Sequence, residues 1–163
     1  MKNKTFKLLG IILFFLVFIA LILTPMHKKA PVKKAPKING RIAIVIDDWG
    51  YSLNNLLIIK QIKLPLTCAI LPGLKNSNPV MQKLNNLGFE IILHLPMEPQ
   101  EKKNLEENTI LTSMDATRIK SIIETDLAAV PNLIGVSNHM GSKATEDEKT
   151  MSVIFDVLKN KHM

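Results

Sequence analysis

Three apolar runs in this chain end in side chains that can hold a metal, and that repetition constrains the fold more than any other feature. Ile42-Ala43-Ile44-Val45-Ile46 runs into Asp47-Asp48. Residues 89–93 run into His94-Leu95-Pro96-Met97-Glu98, and residues 133–136 lead to Asn138-His139-Met140-Gly141-Ser142. Continuous apolar runs rich in β-branched residues mark strands buried on both faces of a parallel sheet. Such sheets collect ligands at the carboxyl ends of their strands. The expectation is one polar site on that rim.

The segments between the runs support a parallel sheet. Leu53–Ile62 has helical spacing, with Leu53, Leu56, Leu57 and Ile59 inward. Residues 66–71 read as a strand closed by Pro72-Gly73. Asn78-Pro79 then opens a helix with Val80, Met81, Leu84 and Leu87 on its apolar face and Gly88 at its end. A polar loop covers residues 96–112, a length that usually carries function. Ser113 or Asp115 caps the next helix, whose stripe is Ile119, Ile122, Ile123, Leu127 and Val130. Thr145-Glu146-Asp147-Glu148 reads as a capping box before Met151, Ile154, Phe155 and Leu158. The order βαβαβ, loop, αβα implies right-handed crossovers. Four strands make either a small open sheet or part of a larger barrel.

Charge is divided along the chain. Residues 1–39 carry eight lysines and no acidic residue, so the body keeps 13 of the 21 basic residues against all 14 acidic ones. A near-neutral body has no basic footprint for nucleic acid. Residues 1–26, with an uncharged apolar run at 8–23, read as a signal or membrane anchor. Residues 27–39 read as a basic Lys/Pro/Ala linker, and residues 40–163 as the folded domain. The expected location is a membrane-anchored body on the extracytoplasmic side, in the cell envelope. Cys68, the single cysteine, sits in an apolar run and is expected to pack rather than react.

Asp47-Asp48 leaves its strand with adjacent carboxylates pointing in different directions, so one can hold a metal while the other takes a proton. The same pair also suits a turn before Trp49-Gly50. His94 ends an apolar strand, where its ring nitrogens need partners. Pro96 and Pro99 exclude a helix between His94 and Glu98, so these two converge only through a turn. His139 repeats the arrangement beside a Met140-Gly141-Ser142 turn. One Asp with two His suits Zn²⁺ with open positions.

At these residues the chain resembles the divergent polysaccharide deacetylases, relatives of the metal-dependent polysaccharide deacetylases. The resemblance rests on Ile46-Asp47-Asp48-Trp49-Gly50, His94-Leu95-Pro96-Met97-Glu98-Pro99 and Asn138-His139-Met140-Gly141-Ser142, and it covers residues 41–163. It implies a parallel (β/α) barrel-like glycoside hydrolase/deacetylase fold. It also implies a divalent metal, zinc, and a polysaccharide or related glycan as substrate. Carried over, Asp47 is the base, and Asp48 and His94 are metal ligands. The family's second motif His falls on Glu98 here, a departure. Either His139 supplies the missing nitrogen or Glu98 substitutes with an oxygen. The favoured assignment makes His139 the ligand and leaves Glu98 to support substrate or ligands together with Trp49, Asn138, Gly141 and Ser142. The ordinary enzymes keep a catalytic acid His and an Arg in a C-terminal half that has no counterpart here, so the expected domain is the N-terminal, four-strand part of the barrel. Two rivals to a hydrolase remain: a non-catalytic glycan or envelope binder of the same fold, and an inactive remnant of a truncated gene.

Overall fold

Apolar residues start a strand only where a neighbouring chain supplies the ladder, and here the ladders begin late. A computed structural model of the chain describes residues 13–19 and 40–163. Strand β1 spans Val45–Trp49, β2 Thr67–Ile70, β3 Glu90–Met97 and β4 Val136–Met140. Helices α1 (Leu56–Ile59), α2 (Ser77–Asn86) and α3 (Ala116–Ala129) form the crossovers, and α4 (Glu148–Asn160) follows β4 after one 3₁₀ turn. All pairings are parallel, in the order β1-β2-β3-β4. The result is an α/β half-barrel of four strands.

Alternation sorts the sheet into two faces. Ile91, Leu93 and Leu95 of β3 are buried with Cys68 and Ile70 of β2 on the face covered by α2 and α3. There they meet Val80 and Leu84 of α2 and Ile119, Ile122 and Ile123 of α3. Burial pushes the Cys68 thiol up to about 11, so it stays a packed, protonated group. The other face carries His94 and Pro96 opposite Ser137 and His139.

Several expectations are corrected. β1 is an edge strand, and Ile42, Ile44 and Val45 stay exposed because nothing pairs beyond it among the described residues. The expected helix over 53–62 shortens to Leu56–Ile59 with only Ile59 buried, and Leu53 and Leu57 face outward. Asp115 caps α3 through Arg118 N–H, as one of the two candidates. At α4 the cap is Asp147, which accepts from Thr150 N–H, while the Thr145 hydroxyl turns back to the Gly141 carbonyl. Phe155 is exposed on the outer side of α4.

The prolines do not force a turn after His94, for β3 runs straight through Pro96 to Met97. The Pro96 carbonyl accepts from Ile110 N–H, on the edge away from β4. In an extended strand the missing N–H of Pro96 points to that same edge, so the ladder to β4 loses nothing.

Among the described residues no helix is long and apolar enough to cross a membrane. Residues 13–19 of the apolar run are helical; the rest of the expected anchor and the whole linker lie outside the described residues.

Candidate metal centre

A backbone irregularity aims Asp48. Between Ile46 and Trp49 β1 gains one residue on β2, since Ile46 pairs with Cys68 and Trp49 with Ile70. The bulge puts Ile46 and Trp49 on the same, core-facing side and extrudes Asp47-Asp48. Asp48 sits at φ 62°, a left-handed conformation that Asp tolerates better than most residues. The turn that follows needs Gly50: at φ 129° a Cβ there would lie 2.8 Å from Ser77 Oγ.

The sheet's curl brings this carboxylate to the histidines. In a flat sheet β1 and β4 would lie three strand spacings apart, roughly 14 Å. Instead Asp48 Oδ1 is 3.1 Å from His94 Nε2 on β3 and 2.9 Å from His139 Nδ1 on β4. One donor atom from each of Asp48, His94 and His139 falls within 4.8 Å of the other two. Zinc bonds of about 2.0–2.1 Å in a tetrahedron separate ligand atoms by about 3.3 Å. The cluster is therefore able to hold a metal with little rearrangement. Both rings are buried, while the Asp48 side chain is 57% exposed and leaves the cluster open to solvent on one side.

The surroundings suit ligation. Burial lowers the His94 pKa, so the ring is neutral near pH 7 with a lone pair to give, even though Asp47 and Asp48 pull the other way. Its second nitrogen, Nδ1, lies 2.8 Å from Ser137 Oγ, the residue opposite it in the ladder. Metal-bound imidazoles are held in this way through their outer nitrogen.

Glu98 does not join the cluster. Its Oε2 accepts from the backbone N–H and hydroxyl of Thr112 at 2.7 and 2.8 Å, and its Oε1 accepts from Lys143 Nζ at 2.7 Å. Its carbonyl accepts from the Lys143 and Ala144 N–H groups. Glu98 thus ties the exit of β3 to both flanking loops, and the Lys143 ammonium leads in holding its carboxyl below the usual range. We expect Glu98→Ala to cost about 2–3 kcal/mol, since three charge-assisted bonds are lost. That contribution is present above pH 4.5, the ordinary value, and fades as pH falls through the lower folded-state value. Urea titrations of parent and variant at pH 7 and pH 3 check it: the gap should be wider at the first than at the second.

The other sequence candidates divide. Asp47 lies exposed on the bulge beside Asp48. Trp49 is buried in the core. Asn138 falls on the strand face opposite His139 and donates to the Met140 carbonyl at 2.7 Å. Gly141, at φ 88°, leaves no room for a side chain without crowding Met97 Cβ at 3.1 Å. Ser142 Oγ accepts from Gln100 N–H. These last three shape the turn after β4.

Sequence reasoning missed Ser137, Glu106 and Tyr51. Ser137 was findable, two residues before His139 and so on the same strand face, once β4 is known to begin at Val136. Glu106 sits in the long loop among other acidic residues and has no distinguishing local signal. Its Oε1 accepts from the Tyr51 hydroxyl, and its Oε2 lies 3.4 Å from His139 Nε2.

Comparison with known proteins bears on the family and the fold. The family model described as divergent polysaccharide deacetylase matches residues 44–163. An uncharacterized protein of Escherichia coli, YibQ, is 36% identical over 124 residues, which are 76% of this chain and 39% of that protein. An uncharacterized protein of Haemophilus influenzae is 32% identical over 124 residues, 76% of this chain and 44% of its own length. The chain thus spans less than half the length of these curated relatives. The crystal structure of an uncharacterized protein from Agrobacterium tumefaciens superposes with a TM-score of 0.64 at 23% identity, covering 75% of this chain and 52% of that one, which shows the shared fold. With the family match across nearly all of the folded body and a third of the residues shared with YibQ, the chain belongs to the divergent polysaccharide deacetylase family, a family tied to carbohydrate chemistry.

Proposed function

We propose that this domain binds a divalent metal, zinc by its donor set, through Asp48, His94 and His139, and that it hydrolyses acetyl groups on a cell-envelope glycan. The observation that carries the reading is the convergence of one carboxylate and two imidazoles from three separate strand ends. When bound, such an ion would polarise an acetyl carbonyl and make water a better nucleophile at neutral pH.

The chain's own residues have assignable tasks. Asp47, exposed on the rim beside the cluster, accepts the proton of the attacking water as its oxygen bonds to the acetyl carbon. The bond from that carbon to the sugar nitrogen or oxygen then breaks, and the proton passes to the leaving group. Ser137 holds the outer nitrogen of His94 and so keeps Nε2 facing the cluster. The exposed side of Asp48 leaves an approach for a long, polar substrate. The apolar run at 8–23, helical over 13–19, supports tethering at a membrane, and the proposed activity requires the body on the side where envelope glycans lie.

Acetate release from acetylated chitooligosaccharides and peptidoglycan fragments tests the proposal. Turnover should stop on exposure to a chelator and return with added zinc. Glycan binding without acetate release, with zinc bound, would instead favour a non-catalytic binder.

A further inference from the structure

The loop between β3 and α3 is longer than a crossover requires, and it is fastened at several points. Ile110 bridges to Met97 in parallel register. Asn108 Nδ2 donates to Asp126 Oδ1 at 3.0 Å on α3, where burial raises the carboxyl to about 6. The Glu106 carbonyl accepts from both the backbone N–H and the hydroxyl of Thr109. The Glu106 side chain, 10% exposed, is thereby delivered into the polar cluster, where the Tyr51 hydroxyl from the β1–α1 loop fixes its Oε1.

Two buried polar atoms there have no hydrogen-bond partner: Glu106 Oε2 and His139 Nε2. They lie 3.4 Å apart, slightly beyond a hydrogen bond, and are complementary in character. An unpaired buried polar atom is costly, and two of opposite character side by side call for one shared proton. The opposite nitrogen of the same ring, Nδ1, faces Asp48. An imidazole can give Nδ1 to a metal only if its proton sits on Nε2, and a carboxylate at Nε2 favours that tautomer.

We infer that Glu106 is a positioning residue for the metal centre: its carboxylate accepts the Nε2 proton of His139 and so presents Nδ1 to the ion, with Tyr51 holding Glu106 in place. Glu106 does for His139 what Ser137 does for His94, but with a charged acceptor. A six-side-chain relay results: Tyr51, Glu106, His139, Asp48, His94, Ser137. Glu106 stands on the far side of the ring from the converging donors and is not one of them. The inference rests on the metal reading, and one of its readouts is independent of metal.

The test uses the full chain with Glu106→Ala, Glu106→Gln and Tyr51→Phe. Zinc affinity is measured by competition with a chromophoric chelator, and the His139 ring nitrogens are observed by ¹⁵N NMR with and without zinc. Glu106→Ala should weaken zinc about 10- to 100-fold, the usual effect of removing an outer-shell partner. Glu106→Gln keeps an acceptor and the side chain's shape, and should recover most of that loss. Tyr51→Phe should fall between Glu106→Gln and Glu106→Ala. In the metal-free parent the Nε2 proton should be shifted downfield and protected from exchange, and Glu106→Ala should abolish that signature. Equal zinc affinity in parent and Glu106→Ala, with an unchanged Nε2 signal, would overturn the inference. So would a loss beyond 1000-fold that Glu106→Gln shares, because that would make Glu106 a ligand. If the parent binds no zinc, the metal reading fails, and the Nε2 signal alone decides whether Glu106 orients His139.

Discussion

Replacing His94 or His139 with Ala is expected to lower zinc affinity by about 100- to 1000-fold. Structural zinc sites gain roughly 10–16 kcal/mol from about four ligands, or about 2.5–4 kcal/mol for each. Both rings are buried and sit in direct contact range of Asp48 Oδ1, so neither can be replaced by solvent without opening the cluster. The two substitutions should act alike because the rings are equivalent donors on adjacent strands, with centroids 5.0 Å apart. Stability should reveal the same loss. A ligand that binds only the folded state raises Tm in proportion to the logarithm of its concentration over Kd. Zinc should therefore raise the parent's melting temperature at concentrations that leave both variants unmoved, and the variants should respond only at about 100- to 1000-fold higher zinc. A chelator competition and a pair of melting curves for each protein check this.

Asp47→Asn should reduce acetate release by about 100- to 10,000-fold, the range for loss of a general base, while zinc affinity changes less than about threefold. The two neighbouring aspartates are separated by the bulge. Asp48, in its left-handed conformation, reaches both imidazoles through one oxygen. Asp47 contacts neither ring, yet its charge is felt at His94, which places it beside the site without making it a ligand. Asp48→Asn should then lose metal and turnover together, and Asp47→Asn turnover alone. Steady-state rates at saturating zinc separate the two, and a large zinc loss in Asp47→Asn would reverse the assigned roles.

The parallel order and the three donors were legible because each rests on a signal the physics enforces. Apolar runs alternating with helical spacing leave few topologies, and a polar ligand at a strand end stands out against its run. Strand limits were less legible for the same reason. Site residues are polar, so apolarity stops at Leu93 and Val136, whereas the hydrogen-bond ladder continues to Met97 and Met140. The exposure of β1 could not be read, since Ile42 to Ile46 has the same composition on an edge as in the centre of a sheet. The bulge at Asp48 was hidden too, because an extra residue has no mark in sequence until its partner's register is known. Glu98 and Glu106 show how side-chain role escapes spacing. The one next to the histidine motif became a loop fastener, and the one deep in a polar loop reached the histidine.

The most direct measurement is zinc X-ray absorption on the purified full chain loaded with one equivalent of zinc. The expected spectrum shows a first shell of light atoms at about 2.0–2.1 Å, with outer-shell scattering from two imidazoles that falls to one in His94→Ala and in His139→Ala. A shell with no imidazole scattering, or one unchanged in both variants, would contradict it.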